Sequence, residues 1–236
     1  MPGVPVLETS GVAHSYGRLD ALRALDLSVE PGECVALIGA NGSGKTTAVR
    51  IIAGLLTPTA GTVRVAGADP HAEPDAERAR AALALVPDAP LLYDDLTVVE
   101  HLELVGIAHG VPDDELVARI AELLTRLDLD ARRDFLPREL SRGMRQKTQL
   151  ACALVRPAAL LLLDEPVVGL DPPSQQLLGA LLREGKAAGT AVLFTTHQLA
   201  FADGLADRAV MLQEGEVIDA GPWSAVRERS RERGWV

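Results

Sequence analysis

Eight consecutive residues, Gly39-Ala40-Asn41-Gly42-Ser43-Gly44-Lys45-Thr46, have the types and spacing that hold phosphate. Glycines let backbone N–H groups turn inward around an anion, the lysine sets a point charge among the terminal phosphates, and the threonine hydroxyl can ligate Mg²⁺. The chain has only three lysines, Lys45, Lys147 and Lys186, among 23 basic residues, yet one of them stands here. A compact ammonium rather than a guanidinium fork is what the position asks for. The chemistry is the binding of a nucleoside triphosphate.

Two acids have a comparable setting. Leu160 to Leu163 is an uninterrupted apolar run that ends in Asp164-Glu165, which places both carboxylates at the C-terminal edge of a parallel sheet, where such sheets bind ligands. Asp164 suits the coordination shell of Mg²⁺, and Glu165 suits the polarising of a water that attacks the terminal phosphate. His197 follows another apolar run and Thr195-Thr196, so it reaches the same edge and can face that phosphate. The remaining histidines, His14, His71, His101 and His109, read as ordinary capping or loop residues.

The elements that must position these groups follow from periodicity. Val6 to Tyr16 and Leu25 to Val29 alternate as strands and form a small β layer. Pro31-Gly32-Glu33 turns the chain into the buried run Cys34 to Ile38, which feeds the glycine loop, and Ala48 to Leu55 repeat at helical spacing behind it. Gly61 to Ala66 and Leu83 to Val86 read as strands with a charged helix between them. From Thr97-Val98-Val99-Glu100, a capping box, the pattern becomes helical through His101–His109, Asp114–Leu127 and Ser141–Val155. Strands then return at Leu160–Leu163 and Ala191–Thr195 around a helix from Ser174 to Ala188, and a hairpin turns at Glu214-Gly215. Alternating strands and helices predict a parallel sheet covered on both faces. The expected organisation is one α/β domain over 1–236, with a core at about 1–94 and 157–236 and a helical subdomain at about 95–156. The charged tail Arg227 to Arg233 reads as a solvated helix end or frayed terminus.

Composition bounds the partners. The chain of 236 residues carries 33 acids against 23 bases, a formal charge of -10, which repels a phosphate backbone at long range and excludes nucleic acid as the main partner. Phosphate must therefore be captured locally. Cys34 and Cys152 stand singly in apolar runs without metal or redox spacing. The most apolar stretch, Leu150 to Leu163, is cut by Arg156 and Pro157, too short to span a bilayer. Met1 to Ser10 has neither the basic region nor the apolar core of a secretory leader, so the chain is expected to stay inside the cell.

Tyr16, the phosphate loop, Leu140-Ser141-Arg142-Gly143-Met144, Asp164-Glu165, Gly169-Leu170-Asp171 and His197, in this order, resemble the nucleotide-binding domain of the ATP-binding cassette (ABC) family over essentially the whole chain. The resemblance implies a phosphate-loop NTPase fold of ABC type: a mixed sheet with an N-terminal antiparallel β layer and a helical subdomain. It implies ATP and Mg²⁺ as ligands and a head-to-tail dimer that sandwiches two ATPs. By that resemblance Tyr16 stacks on adenine, and Gly39 to Thr47 cradle ATP. Thr46, Asp164 and position 88 approach the metal, Glu165 is the base, and His197 senses the γ phosphate. Leu140, Ser141, Arg142, Gly143 and Met144 serve the partner subunit's ATP, and Asp171 couples the two sites.

Two places depart from the family pattern. Arg142 and Met144 replace a glycine and the glutamine of the usual Leu-Ser-Gly-Gly-Gln, although Gly143-Met144-Arg145-Gln146-Lys147 is similar to the variant of export-type subunits of bacterial exporters. After the strand Leu83 to Val86 the family places a glutamine that touches Mg²⁺, the attacking water and the membrane partner. Here stands Asp88, which keeps an oxygen for the metal and adds charge beside the γ phosphate. The resemblance thus implies the ATPase subunit of a bacterial ABC exporter, on the inner face of the membrane and paired with a separate transmembrane permease. The alternative is a soluble ABC ATPase acting on DNA or ribosomes; the stretch between Lys45 and Leu140 is too short for the coiled coil of the DNA-repair members, and no second cassette is present. A GTPase is disfavoured because no Asn-Lys-x-Asp occurs.

Overall fold

A computed structural model of the chain describes residues 4–234, so part of the Met1 to Ser10 segment lies outside the described residues. The strands are β1 (Leu7–Tyr16), β2 (Leu19–Val29), β3 (Cys34–Ile38), β4 (Ala60–Val65), β5 (Leu83–Val86), β6 (Leu160–Leu163), β7 (Ala191–Thr196), β8 (Arg208–Gln213) and β9 (Glu216–Pro222). The helices are α1 (Lys45–Ile52), α2 (Asp75–Ala82), α3 (Val98–Ala108), α4 (Asp113–Arg126), α5 (Arg142–Leu154), α6 (Pro172–Ala187), α7 (Leu199–Ala202) and α8 (Trp223–Glu232). Among the described residues the strands form one sheet in the order β4-β1-β2-β9-β8-β3-β7-β6-β5.

The part that builds the site is parallel: β3 pairs with β7 and β8, β7 with β6, and β6 with β5. The N-terminal strands β1, β2 and β4 are antiparallel and join the rest through one parallel pair, Ala24 with Glu216. Both faces of the parallel strands are covered, as their unbroken apolar runs predict. Period-two geometry divides each run: Cys34, Ala36 and Ile38 enter the core under α3 to α6, and Val35 and Leu37 enter the core under α1. Phe194 on β7 is fully buried and meets Phe201 edge to face at 5.5 Å.

Two expectations are corrected. β2 begins at Leu19, six residues before the predicted Leu25, because it pairs with β1 as far as Tyr16 opposite Leu19. Register shifts at Val12 and His14 break the alternation that periodicity needs, which hid its first half. The charged tail is the end of a helix, as expected, with Glu228, Arg231, Glu232 and Arg233 exposed, but it is not wholly solvated: in α8, Trp223, Val226 and Ser230 are buried, and Arg227 and Arg229 pair with Asp203 and Asp219. Three buried residues spaced three and four apart make a helical stripe that the alternating charges concealed.

Between β5 and β6 the chain is helical and starts at the predicted capping box: the Thr97 hydroxyl accepts from the Glu100 N–H and the Glu100 carboxylate accepts from the Thr97 N–H at 2.7 Å. Thr97→Ala removes one half of this exchange and is expected to cost about 1 kcal/mol of stability, read as a lower urea midpoint at unchanged slope.

Candidate nucleotide and metal site

β3, β6 and β7 run parallel with neighbouring ends, so the segments that follow them converge. The phosphate loop follows β3 and turns into α1, whose N-cap is Gly44 at φ +105. A side chain at Gly44 would meet the Ala21 carbonyl 2.5 Å away, so the position needs glycine for its space as well as its conformation. Lys45 is 5% exposed, and its Nζ donates to the carbonyls of Gly39 (2.7 Å) and Ala40 (3.1 Å). The same Nζ lies 3.5 Å from Glu165 Oε1, which joins the loop to the acids after β6.

Glu165 has a φ of +47, a left-handed conformation that a side chain adopts at a cost. Thr195 on β7 stabilises it: its hydroxyl accepts from the Glu165 N–H at 2.8 Å and donates to Asp164 Oδ1 at 2.6 Å. One fully buried hydroxyl thus fixes both acids, turning Asp164 inward and Glu165 toward Lys45 and His197. His197 Nδ1 lies 2.9 Å from Glu165 Oε2 and carries the hydrogen of that bond, since an ionised carboxylate only accepts.

Asp164 is 2% exposed, and burial holds its carboxyl above the ordinary carboxylate range. Hydrogen bonds from Thr195 and Thr46 pull it down, and the charges of Asp88 and Glu165 push it further up. Thr46 and Asp164 are therefore adjacent, and Asp88 is near enough to be felt. Asp88 also lines a cavity of about 370 Å³ with Tyr16, Asn41, Thr46, Thr47 and Glu165. This fits a hard cation: the donors are a hydroxyl and carboxylates, which suit Mg²⁺ completed by phosphate oxygens and water. Among the described residues no group of three or more His, Cys, Asp or Glu is placed to hold a metal unaided. Two buried oxygens, Ser43 Oγ in the loop and Glu165 Oε1 after β6, have no hydrogen-bond partner within the chain, which fits groups placed to meet a phosphate and a water.

The other predicted residues lie apart from this cavity. Ser141 caps α5, its hydroxyl accepting from the Met144 N–H at 3.2 Å, and Arg142 stays exposed over Gly169. Leu140 is buried in the core, so its side chain packs rather than faces a ligand. Asp171 caps α6, and hydrogen bonds from the Ser174 side chain and, at 3.0 Å, from the Ser174 N–H hold its carboxyl below the usual range. Sequence reasoning missed Thr195 as a site residue, having named it only as the lead into His197. It also missed His14, which supports Tyr16 edge-on at 4.6 Å while its Nδ1 meets the Thr57 carbonyl. The spacing of two along β1 was the available signal for that pair.

A phosphate loop, two acids at the end of the neighbouring parallel strand but one, and a histidine just past the end of the strand between them define a phosphate-loop nucleoside triphosphatase. Residues 22–168 match the ABC transporter family. The ABC-type transporter ATP-binding protein EcsA of Bacillus subtilis (strain 168) is 35% identical over 95% of this chain and 90% of its own length. The Nod factor export ATP-binding protein I of Paraburkholderia xenovorans (strain LB400) is 38% identical over 93% of this chain and 72% of its own. The dimeric structure of a bacterial ABC transporter cassette superposes with a TM-score of 0.84 at 26% identity, covering 92% of this chain and 98% of that one. The chain belongs to the ABC transporter family and is one of its ATP-binding, ATP-hydrolysing subunits.

The Asp164 carboxyl has a pKa above its unfolded value, so it favours the folded chain fully below the unfolded pKa and loses that contribution as pH rises through the folded one. Asp164→Asn abolishes this titration and keeps an oxygen for Thr195. It should be more stable than the parent near neutrality, with the difference closing as pH falls to about 4; urea midpoints across that range measure it.

Proposed function

We propose that this chain powers a bacterial ABC exporter: two copies, or this chain and a second cassette, close head to tail around two ATPs and drive a separate membrane permease. The observation that carries the reading is the 3.5 Å approach of Lys45 Nζ to Glu165 Oε1, which brings the phosphate-binding charge and the candidate base to one point. The relatives support the direction, because one of them is named for Nod factor export. Among the described residues no helix is long and apolar enough to cross a membrane; in this reading the permease is a separate component and the chain sits peripherally on the inner face. Residues 95–156 act as a helical subdomain on the core, and a groove of about 460 Å³, lined by Leu55, Leu85 and Ala108 together with Glu77, Arg80 and Arg156, suits an amphipathic permease segment.

In this reading the backbone of Gly39 to Gly44 and Lys45 hold the β and γ phosphates, and Tyr16 supports the adenine. Thr46 and Asp164, with Asp88 beside them, hold Mg²⁺, which when bound spreads the charge of the phosphates. Glu165 accepts the proton of the attacking water, and His197 orients Glu165 and contacts the γ phosphate. Ser141 and the backbone at Gly143 serve the partner's ATP, with Asp171 at the junction of the two sites.

Glu165→Gln should retain ATP binding, lower turnover by about 100-fold or more, and accumulate an ATP-bound dimer on sizing chromatography. A chain that stays monomeric with Mg-ATP and keeps hydrolysing would show that Glu165 is not the base. Asp88→Gln tests the metal site: it should raise the Mg²⁺ concentration for half-maximal turnover and leave nucleotide affinity nearly unchanged, since it removes a charge from the metal's side of the cavity. Identical Mg²⁺ titrations would remove Asp88 from that site.

A further inference from the structure

The loop that carries Asp88, residues 87–97, leaves β5 and crosses to α3 with Leu91 and Tyr93 largely exposed. A loop so exposed has little apolar contact to hold it, yet two of its backbone amides are bonded by side chains from two different helices. The Leu91 N–H donates to Gln149 Oε1 on α5 at 2.9 Å, and the Tyr93 N–H donates to His101 Nε2 on α3 at 2.8 Å. His101 is itself oriented: its Nδ1 is 2.7 Å from the Thr97 carbonyl, the side chain is 4% exposed, and its ring stacks with Tyr93 at 6.1 Å. Because Nε2 accepts, Nδ1 carries the hydrogen, and one tautomer serves both bonds.

Gln149 stands on the helix that Ser141 caps, eight residues further on, or about 12 Å along a rigid rod. Ser141 serves the partner's ATP in the reading above, whereas Asp88 belongs to this chain's own site. The Gln149 side chain is therefore a direct polar link between the helix bearing one half-site and the loop bearing part of the other. We propose that Gln149, with His101 as the second support, is a positioning residue that fastens the Asp88 loop to the signature helix, so that occupation of one ATP site is transmitted to the metal side of the second. The proposal rests on the ABC reading for the role of Ser141; the fastening itself rests on geometry alone. Linkage requires the two contacts to differ between states, and a helix that shifts when its N-terminus meets phosphate carries Gln149 with it.

The test uses two substitutions at a half-exposed position where folding is not at risk. Gln149→Met keeps length and removes the acceptor oxygen, and Gln149→Glu restores an oxygen that can accept. Amide hydrogen exchange on the nucleotide-free chain should show the Leu91 amide exchanging several-fold faster in Gln149→Met and at the parental rate in Gln149→Glu. Turnover against ATP concentration should be cooperative in the parent, with a Hill coefficient falling toward 1 in Gln149→Met and recovering in Gln149→Glu, while ATP affinity of the single chain stays within about twofold. Unchanged Leu91 exchange in Gln149→Met would overturn the fastening. Faster exchange with an unchanged Hill coefficient would overturn the transmission. A parent chain that does not dimerise with ATP would overturn the proposed head-to-tail dimer on which the transmission rests, and the exchange data would still report on the fastening.

Discussion

The placement of β7 between β3 and β6, all three parallel, is the constraint on which the site depends. Val192 to Phe194 pair with both neighbours at once, so the strand ends stay level and the segments beyond Ile38, Leu163 and Thr196 open on one edge. An antiparallel neighbour would send one of those segments to the far side of the molecule. β7 also supplies Thr195, whose buried hydroxyl holds two acids that would otherwise repel each other beside a third. The strained turn at Glu165 persists because this hydroxyl, the Lys45 charge and His197 all fix it.

The electrostatics of the edge explain how an acidic chain binds a polyanion. Long-range attraction is absent at a net charge of -10, so in the proposed reading capture relies on inward N–H groups, the N-terminus of α1 and a single lysine, all effective over a few ångströms. Asp88, Asp164 and Glu165 gather opposite that lysine, an arrangement unfavourable by itself: burial first, and then the charges of Asp88 and Glu165, raise the Asp164 carboxyl. In the proposed reading a divalent cation held by Thr46 and Asp164 would offset that repulsion and supply positive charge for the phosphates.

Of the departures from the family pattern, Met144 packs against the core, whereas Asp88 and Arg142 fall at surfaces. Asp88 is exposed at the mouth of the cavity and Arg142 is exposed above Gly169, positions where a changed side chain alters a contact with ligand or partner without disturbing packing. The buried neighbours of the same motifs, Leu140 and Thr195, keep the fold in place.

What the amino-acid sequence determined by itself was local. Gly39 to Thr46, the run into Asp164-Glu165, the capping box at Thr97 and the order of strands and helices are legible because neighbours in sequence carry the chemistry or the periodicity. What only the tertiary structure decided were meetings of residues far apart in the chain: Thr195 with Asp164, His14 with the Thr57 carbonyl, and Gln149 with Leu91. None of these leaves a periodic or motif signal, because a single hydroxyl or amide is selected by the space it fills, and that space exists only after the sheet and helices have packed.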